Sequence, residues 1–246
     1  NVRFILKMFL LEVKLIKMIG IICAMEEEIS NIILNMQNEK CETISSKKYT
    51  LGTFMGKKCV VCLSGIGKVN AAIACQTMIL KYSPDFIINT GVAGALSKKI
   101  QIGDIVIGEN VIQHDFDISA FENRRKGDIP GINSYKIPCN KNLIEKADLS
   151  SKKANISSHI GNILTGDQFI NSKERIENLK NAFSGLACEM EGASIGQVGY
   201  INKIPFIVIR SISDNSGNSS QNDFKINLEK SCQNVCEFLS NFISTF

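Results

Sequence analysis

Three carboxylates in this chain stand where apolar runs end. Glu28 closes the triplet Glu26–Glu27–Glu28 behind "GIICAM", Glu191 closes "ACEME", and Asp214 closes "FIVIRSISD". A carboxyl group can act as acid, base or hydroxyl acceptor, and burial selects the role, because desolvation raises its pKa. Each has an ordinary reading by itself: acidic residues suit a helix dipole, and an Asp caps or turns the chain. Helical phase singles out Glu28. Met25, Ile29, Ile32, Ile33 and Met36 form an apolar stripe, Glu28 lies on it, and Glu26 and Glu27 point away. In extended geometry Glu189 and Glu191 face one way and Met190 the other. Three carboxylates at one rim, with no histidine base, point to acid/base hydrolysis of a neutral or cationic small molecule.

The elements that must position them alternate. Strand candidates are 18–23, 58–63, 85–90, 104–112, 160–164 and 205–212; helical candidates are 25–37, 68–82, 140–147, 173–182, 191–202 and 222–244. Near-continuous apolar strands alternating with helices predict a single α/β domain. Its central, mostly parallel mixed sheet carries helices on both sides. Ligands of such sheets sit at the carboxyl ends of the strands. Two glycine-containing turns are expected there, "SGIGKVN" (Ser64–Asn70) and "TGVAGAL" (Thr90–Leu96). Neither is a P-loop or a full dinucleotide fingerprint. Residues 117–139 read as a long polar excursion.

Composition narrows the classes. The 246 residues are 44% hydrophobic and 21% charged, enough for a substantial core. The net charge of +4 is concentrated in residues 1–17, where Arg3, Lys7, Lys14 and Lys17 face only Glu12. The remainder is close to balance, which disfavours a nucleic-acid partner. Charges also interrupt residues 1–17 too often for a membrane span, and no small-residue cleavage site follows. That segment is read as an extension, either an upstream-start artefact or an amphipathic helix, preceding a domain over 18–246. Nine cysteines, an odd number, sit mostly in apolar runs. The one C-x-x-C, Cys59 and Cys62, lies in a strand candidate, and there are only two histidines. Free core thiols in a reducing cytoplasm, with no metal site, are expected.

In order, "IGIICAMEEEI", "SGIGKVNAA", "IINTGVAGAL", "GDIVIGENVIQHDFD", "TGDQFI", "CEMEGASIGQV" and "VIRSISD" resemble the 5′-methylthioadenosine/S-adenosylhomocysteine nucleosidases of the purine nucleoside phosphorylase superfamily. The resemblance runs from Met18 to the C-terminus. It implies a cofactor-free hydrolase that releases adenine from a thioribosyl nucleoside. Glu28 matches the glutamate that activates water, Glu191 the one that holds the ribose hydroxyls, and Asp214 the aspartate that protonates adenine N7. Met190 and Arg210 match residues framing the ribose. Phe169 matches the ring that stacks on adenine, and Ile170 the residue bonding the base through its backbone. Met25, Ile66, Ala93, Gly94, Ser213 and Phe224 match other pocket positions, beside Glu189. Ile118, Phe121 and Pro130 match residues that close the alkylthio pocket of a neighbouring subunit, which implies a homodimer.

Two departures stand out. Val92 occupies a position where many members carry Ser, and the charged loop Glu122–Ile129 has Asn123 where an aromatic is common. The rival readings are a nucleosidase acting on aminodeoxyfutalosine, a nucleoside phosphorylase, and an inactive nucleoside-binding protein. A phosphorylase needs cations around its phosphate, whereas the turn after the first strand is acidic.

Overall fold

The structure, a computed structural model, describes residues 18–214 and 221–246, and only the backbone of Glu122 and of 221–226. The extension over 1–17 lies outside the described residues. In chain order the elements are β1 (Ile19–Cys23), α1 (Glu26–Leu34), β2 (Gln37–Ile44), β3 (Lys47–Phe54), β4 (Lys57–Leu63), α2 (Lys68–Tyr82), β5 (Phe86–Ala95), β6 (Ile105–Gln113), α3 (Ser119–Glu122), β7 (Ile137–Pro138), α4 (Lys141–Ala154), β8 (Ser158–Thr165), α5 (Lys173–Phe183), β9 (Gly185–Glu189), α6 (Gly192–Asn202), β10 (Phe206–Asp214) and α7 (Gln221–Ile243).

All strands join one mixed sheet. β10, β6, β8, β9 and β5 follow one another, and β5 pairs back onto β10, so these five close into a ring. From β5 the sheet continues through β1, β4, β3 and β2. Parallel pairing of the expected kind is present: β1 with β4 and β5, β5 with β10, β6 with β8, and β8 with β9. Antiparallel pairing is more extensive than expected, because β2, β3, β7 and β9 were not anticipated. Most of it involves these strands: β2–β3, β3–β4, β6–β7 and β5–β9. β2 is a charged edge strand with no buried position, which leaves no apolar alternation to read.

Residues of β1 alternate between two cores. Ile22 packs with Ala71, Ala74 and Met78 of α2 and Ile195 of α6. Ile19, Ile21 and Cys23 pack with Ile32 of α1, Ala147 of α4, and Val235, Phe238 and Phe242 of α7. With helices on both faces, every residue of β1 is buried, which is why its sequence reads as a continuous apolar run. Each fully buried Ile contributes roughly 1.5–3 kcal/mol. Cys59 and Cys62 belong to opposite cores, and all nine cysteines are free. Among the described residues no group of three or more His, Cys, Asp or Glu could hold a metal, and no helix is long and apolar enough to cross a membrane.

Candidate active site

The helical phase decides the glutamate triplet as expected. Glu26 and Glu27 are exposed, whereas Glu28 is 2% exposed. Glu28 is the third residue of α1, and its carboxylate curls back over the helix start. Its Oε2 accepts the backbone N–H of Ala24 at 2.8 Å and of Met25 at 3.0 Å, half of a capping box. Its Oε1 accepts the N–H of Val92 at 2.9 Å. Burial pushes the Glu28 carboxyl above its usual range, and Arg210 and these three N–H groups push back.

Val92 belongs to β5, and here the structure corrects an expectation. Thr90–Leu96 does not turn after a strand ending at residue 90; β5 runs on to Ala95 and pairs with β10 as far as Gly94. Gly91 is needed for contact rather than for turning. A Cβ there would lie 2.2 Å from Glu28 Oε1 and 2.5 Å from Arg210 Nη1. The other glycine segment does turn. Gly67, at φ +96, caps α2, and its N–H donates to Glu191 Oε1 at 2.8 Å.

Glu191 is the N-cap of α6, and the chain bends at 190–191, so strict alternation ends at Glu189. Met190 therefore reaches the same cavity as its two glutamate neighbours. Glu189 Oε2 accepts the N–H of Glu191 at 3.1 Å and of Gly192 at 2.7 Å, and so satisfies the helix start. Its Oε1 accepts the Thr165 hydroxyl, whose oxygen in turn accepts the N–H of Ala193 at 2.7 Å. Burial first, and then Glu189, pushes the Glu191 carboxyl up to about 7, against the pull of Arg210.

Arg210 is fully buried. One of its amino groups donates to Glu189 and, at 2.6 Å, to Asn89 Oδ1; the same nitrogen lies 3.6 Å from Glu191 Oε2. Asp214 ends β10, is 4% exposed, and accepts the Ser213 hydroxyl at 3.1 Å.

A cavity of about 290 Å³ opens between these strand ends. Glu28, Glu191 and Asp214 all line it, with Met25, Ile66, Val92, Ala93, Gly94, Phe169, Glu189, Met190 and Ser213. Ala24 and Cys188 line it too and were not anticipated; both immediately neighbour expected residues, which was the available signal. Arg210 does not line the cavity and lies behind its glutamates. The side chain of Ile170 is buried among Leu96, Ile112, Leu164 and Phe183 rather than facing the cavity. Ile118 precedes α3, and Phe121, within it, is 85% exposed; neither reaches this chain's own cavity. Pro130 is exposed as well. The side chain of Phe224 lies outside the described residues. Among the described residues no Lys, Arg or His lines the cavity.

A ring-closed mixed sheet with carboxylates gathered at its strand ends defines the class, and comparison with known proteins agrees: the phosphorylase superfamily model matches residues 18–244. Within that superfamily the chain belongs to the 5′-methylthioadenosine/S-adenosylhomocysteine nucleosidases. It is 42% identical to the nucleosidase of that name from Shewanella loihica, over 86% of this chain and 92% of the relative. With the Bacillus subtilis protein of the same name it shares 37% identity, over 92% of this chain and 97% of the relative. It is also similar to a Neisseria meningitidis nucleosidase solved with methylthio-immucillin-A, at TM-score 0.89 and 32% identity, over 94% of this chain and 100% of that one. A Helicobacter pylori futalosine hydrolase superposes with TM-score 0.89 and 34% identity, over 94% of this chain and 99% of that one.

Proposed function

We propose that this chain hydrolyses the N-glycosidic bond of 5′-methylthioadenosine and S-adenosylhomocysteine, releasing adenine and the thioribose sugar. The observation that carries the reading is one cavity lined by Glu28, Glu191 and Asp214 and by no cation among the described residues. A phosphate dianion entering it would meet like charge in a desolvated space, a penalty that water does not incur.

In this reading Glu28 takes a proton from the attacking water. Three N–H groups hold its carboxylate in place, and burial raises its basicity. Asp214 donates a proton to N7, because an adenine anion leaves poorly. Glu191 accepts the ribose hydroxyls, and the carboxylates stabilise the sugar as it gains oxocarbenium character. Phe169, 61% exposed at the cavity edge, stacks on the base, and Ile170 meets it through backbone atoms. The free thiols suit a reducing, cytoplasmic setting.

The test is product identity. At saturating nucleoside, adenine and the free sugar should form at full rate without phosphate, and millimolar phosphate should leave the sugar unphosphorylated. A sugar 1-phosphate would make the chain a phosphorylase. The structural likeness to a futalosine hydrolase keeps a second substrate in view, so aminodeoxyfutalosine belongs in the same assay. A higher kcat/KM for it than for methylthioadenosine would make it the principal substrate.

We also infer a homodimer. Val69, Ile73 and Leu80 form an exposed apolar stripe along α2, 41–74% exposed, with Ile66 just before the helix at the cavity rim, and Phe121 is 85% exposed. A second copy would cover the stripe and receive Phe121 at its cavity. Sedimentation should give twice the chain mass. Phe121→Ala should lower kcat/KM by roughly 10-fold or more, mainly through KM, given the value of a buried aromatic. An active monomer would overturn this.

A further inference from the structure

A second cavity, of about 270 Å³, lies on the other side of the Phe169 segment. Gln168 lines it, whereas Phe169 lines the first. Its chemistry is opposite to that of the acidic site. Lys126 and Arg175 reach it, and the acid that lines it, Asp115, is already paired with Lys68 Nζ at 2.7 Å. His114 also lines it and is only 3% exposed, yet its Nε2 has no hydrogen-bond partner. The ring lies against Gly166, where a Cβ would meet Nε2 at 2.3 Å. A buried polar nitrogen left unpaired carries its full desolvation cost, so a ligand gains from this ring once Nε2 turns from Gly166 towards the cavity. Burial, with Lys126, Arg175 and Lys68 near it, holds His114 below its usual pKa, and Asp115 opposes that. The imidazole is thereby biased towards its neutral form, which keeps one N–H to donate.

We propose that this cavity binds a phosphate-type oxyanion, free or at the end of a small monoester, between Lys126 and Arg175, with His114 and the amides of Gln168 and Asn178 as neutral donors. Arg175 already donates to Gln168 Oε1, which leaves the amide N–H groups of Gln168 for the anion. Occupancy also stiffens the segment that carries Phe169. Its N-terminal side is already tied down, because Asp115 Oδ2 accepts the N–H of Asp167 at 2.9 Å and Asp167 Oδ1 accepts the N–H of Lys68 at 2.8 Å. On the reading that Phe169 stacks on the substrate base, an anion here lowers the nucleoside KM and leaves kcat nearly unchanged.

The experiment titrates inorganic phosphate, and separately glycerol 3-phosphate, into the full-length protein at ionic strength fixed with chloride. Thermal midpoint and initial rates are followed together. A saturable rise in midpoint, with a fall in KM, is expected. Lys126→Gln/Arg175→Gln should weaken it by about 10-fold or more, as expected for lost charge-assisted bonds. These two side chains are exposed, so the variant should fold. His114→Phe, which keeps the ring shape, should weaken it as well. Tighter binding of glycerol 3-phosphate identifies a monoester, and tighter binding of phosphate the free ion. A non-saturating rise, or one that survives in the double variant, overturns the proposal. Product analysis keeps the two readings apart: a sugar 1-phosphate sinks the hydrolase reading, whereas a rise lost in the double variant still supports the second site.

Discussion

Glu28→Gln and Asp214→Asn are each expected to lower adenine release by about 10²–10⁴-fold, the usual contribution of a positioned proton-transfer group. The two substitutions act on different protons. Gln at 28 cannot take a proton from water. It also cannot satisfy all of its neighbours, because the N–H groups of Ala24, Met25 and Val92 all point at the native carboxylate. An amide accepts through one oxygen only, so it keeps the Ala24–Met25 pair or Val92 and sets its NH₂ against the other. That costs about 1–3 kcal/mol, offset in part because a buried charge is removed. The folded state should therefore survive, which a thermal melt checks. Asn at 214 keeps an acceptor for the Ser213 hydroxyl but has no acidic proton for a leaving base. Glu26→Gln and Glu27→Gln supply the control. Both residues are exposed at the same helix start, so each should stay within a few-fold of wild type. Near-normal turnover in Glu28→Gln, or an equal loss in Glu27→Gln, would mean that the base has been misassigned.

Arg210→Met is expected to have the largest effect on stability. The guanidinium is fully buried against Glu189 and near Glu191, and Glu28 also feels its charge. Breaking such a group from one side typically costs about 3–5 kcal/mol, because the opposite charges remain buried. That is a large share of a typical domain's stability of about 5–15 kcal/mol. The sign with pH follows from the carboxyls. Glu191 is raised to about 7 in the folded chain, above its unfolded value near 4.3. Its burial therefore costs nothing below the unfolded pKa, and the penalty grows as pH rises between the two values. Without Arg210 the folded value climbs further and the penalty extends to higher pH. Urea unfolding should show a large deficit at pH 8 that shrinks at pH 5. Adding Glu189→Gln should restore part of it. A deficit that is equal at both pH values would show that lost packing, rather than unpaired charge, is responsible.

Much of the site was legible because one kind of information is local. Helical phase placed Glu28 on the buried side and Glu26 and Glu27 outside, since helix geometry alone sets which residues share a face. Apolar runs marked β1, β4, β5, β6, β8 and β10, and the ends of β1 and β10 pointed to Glu28 and Asp214, whereas Glu191 follows β9, which no apolar run announced. The resemblance of the ordered motifs added the assignment of roles, which residue types alone do not distinguish. β2 was not legible, because an exposed edge strand needs no apolar alternation. Nor was the continuation of β5 through Gly91 and Gly94, because glycines after an apolar run look the same whether the chain turns or a carboxylate packs against the strand.

What the sequence by itself determined is therefore orientation: which side of α1 is buried, where the most apolar strands lie, and that Glu28 faces the core while Glu26 and Glu27 face water. What only the tertiary structure decided is partnership. Glu28 meets Val92 across 64 positions, and Glu191 meets Gly67 across 124. Those pairs exist because β1 lies beside β5 and α2 packs on α6, while the return of β5 to β10 closes the ring. The same closure draws Arg210 behind the glutamates instead of into the cavity. Periodicity reports only the environment facing each residue, whether core or water. Which distant group supplies that environment depends on strand order, and no local pattern encodes it.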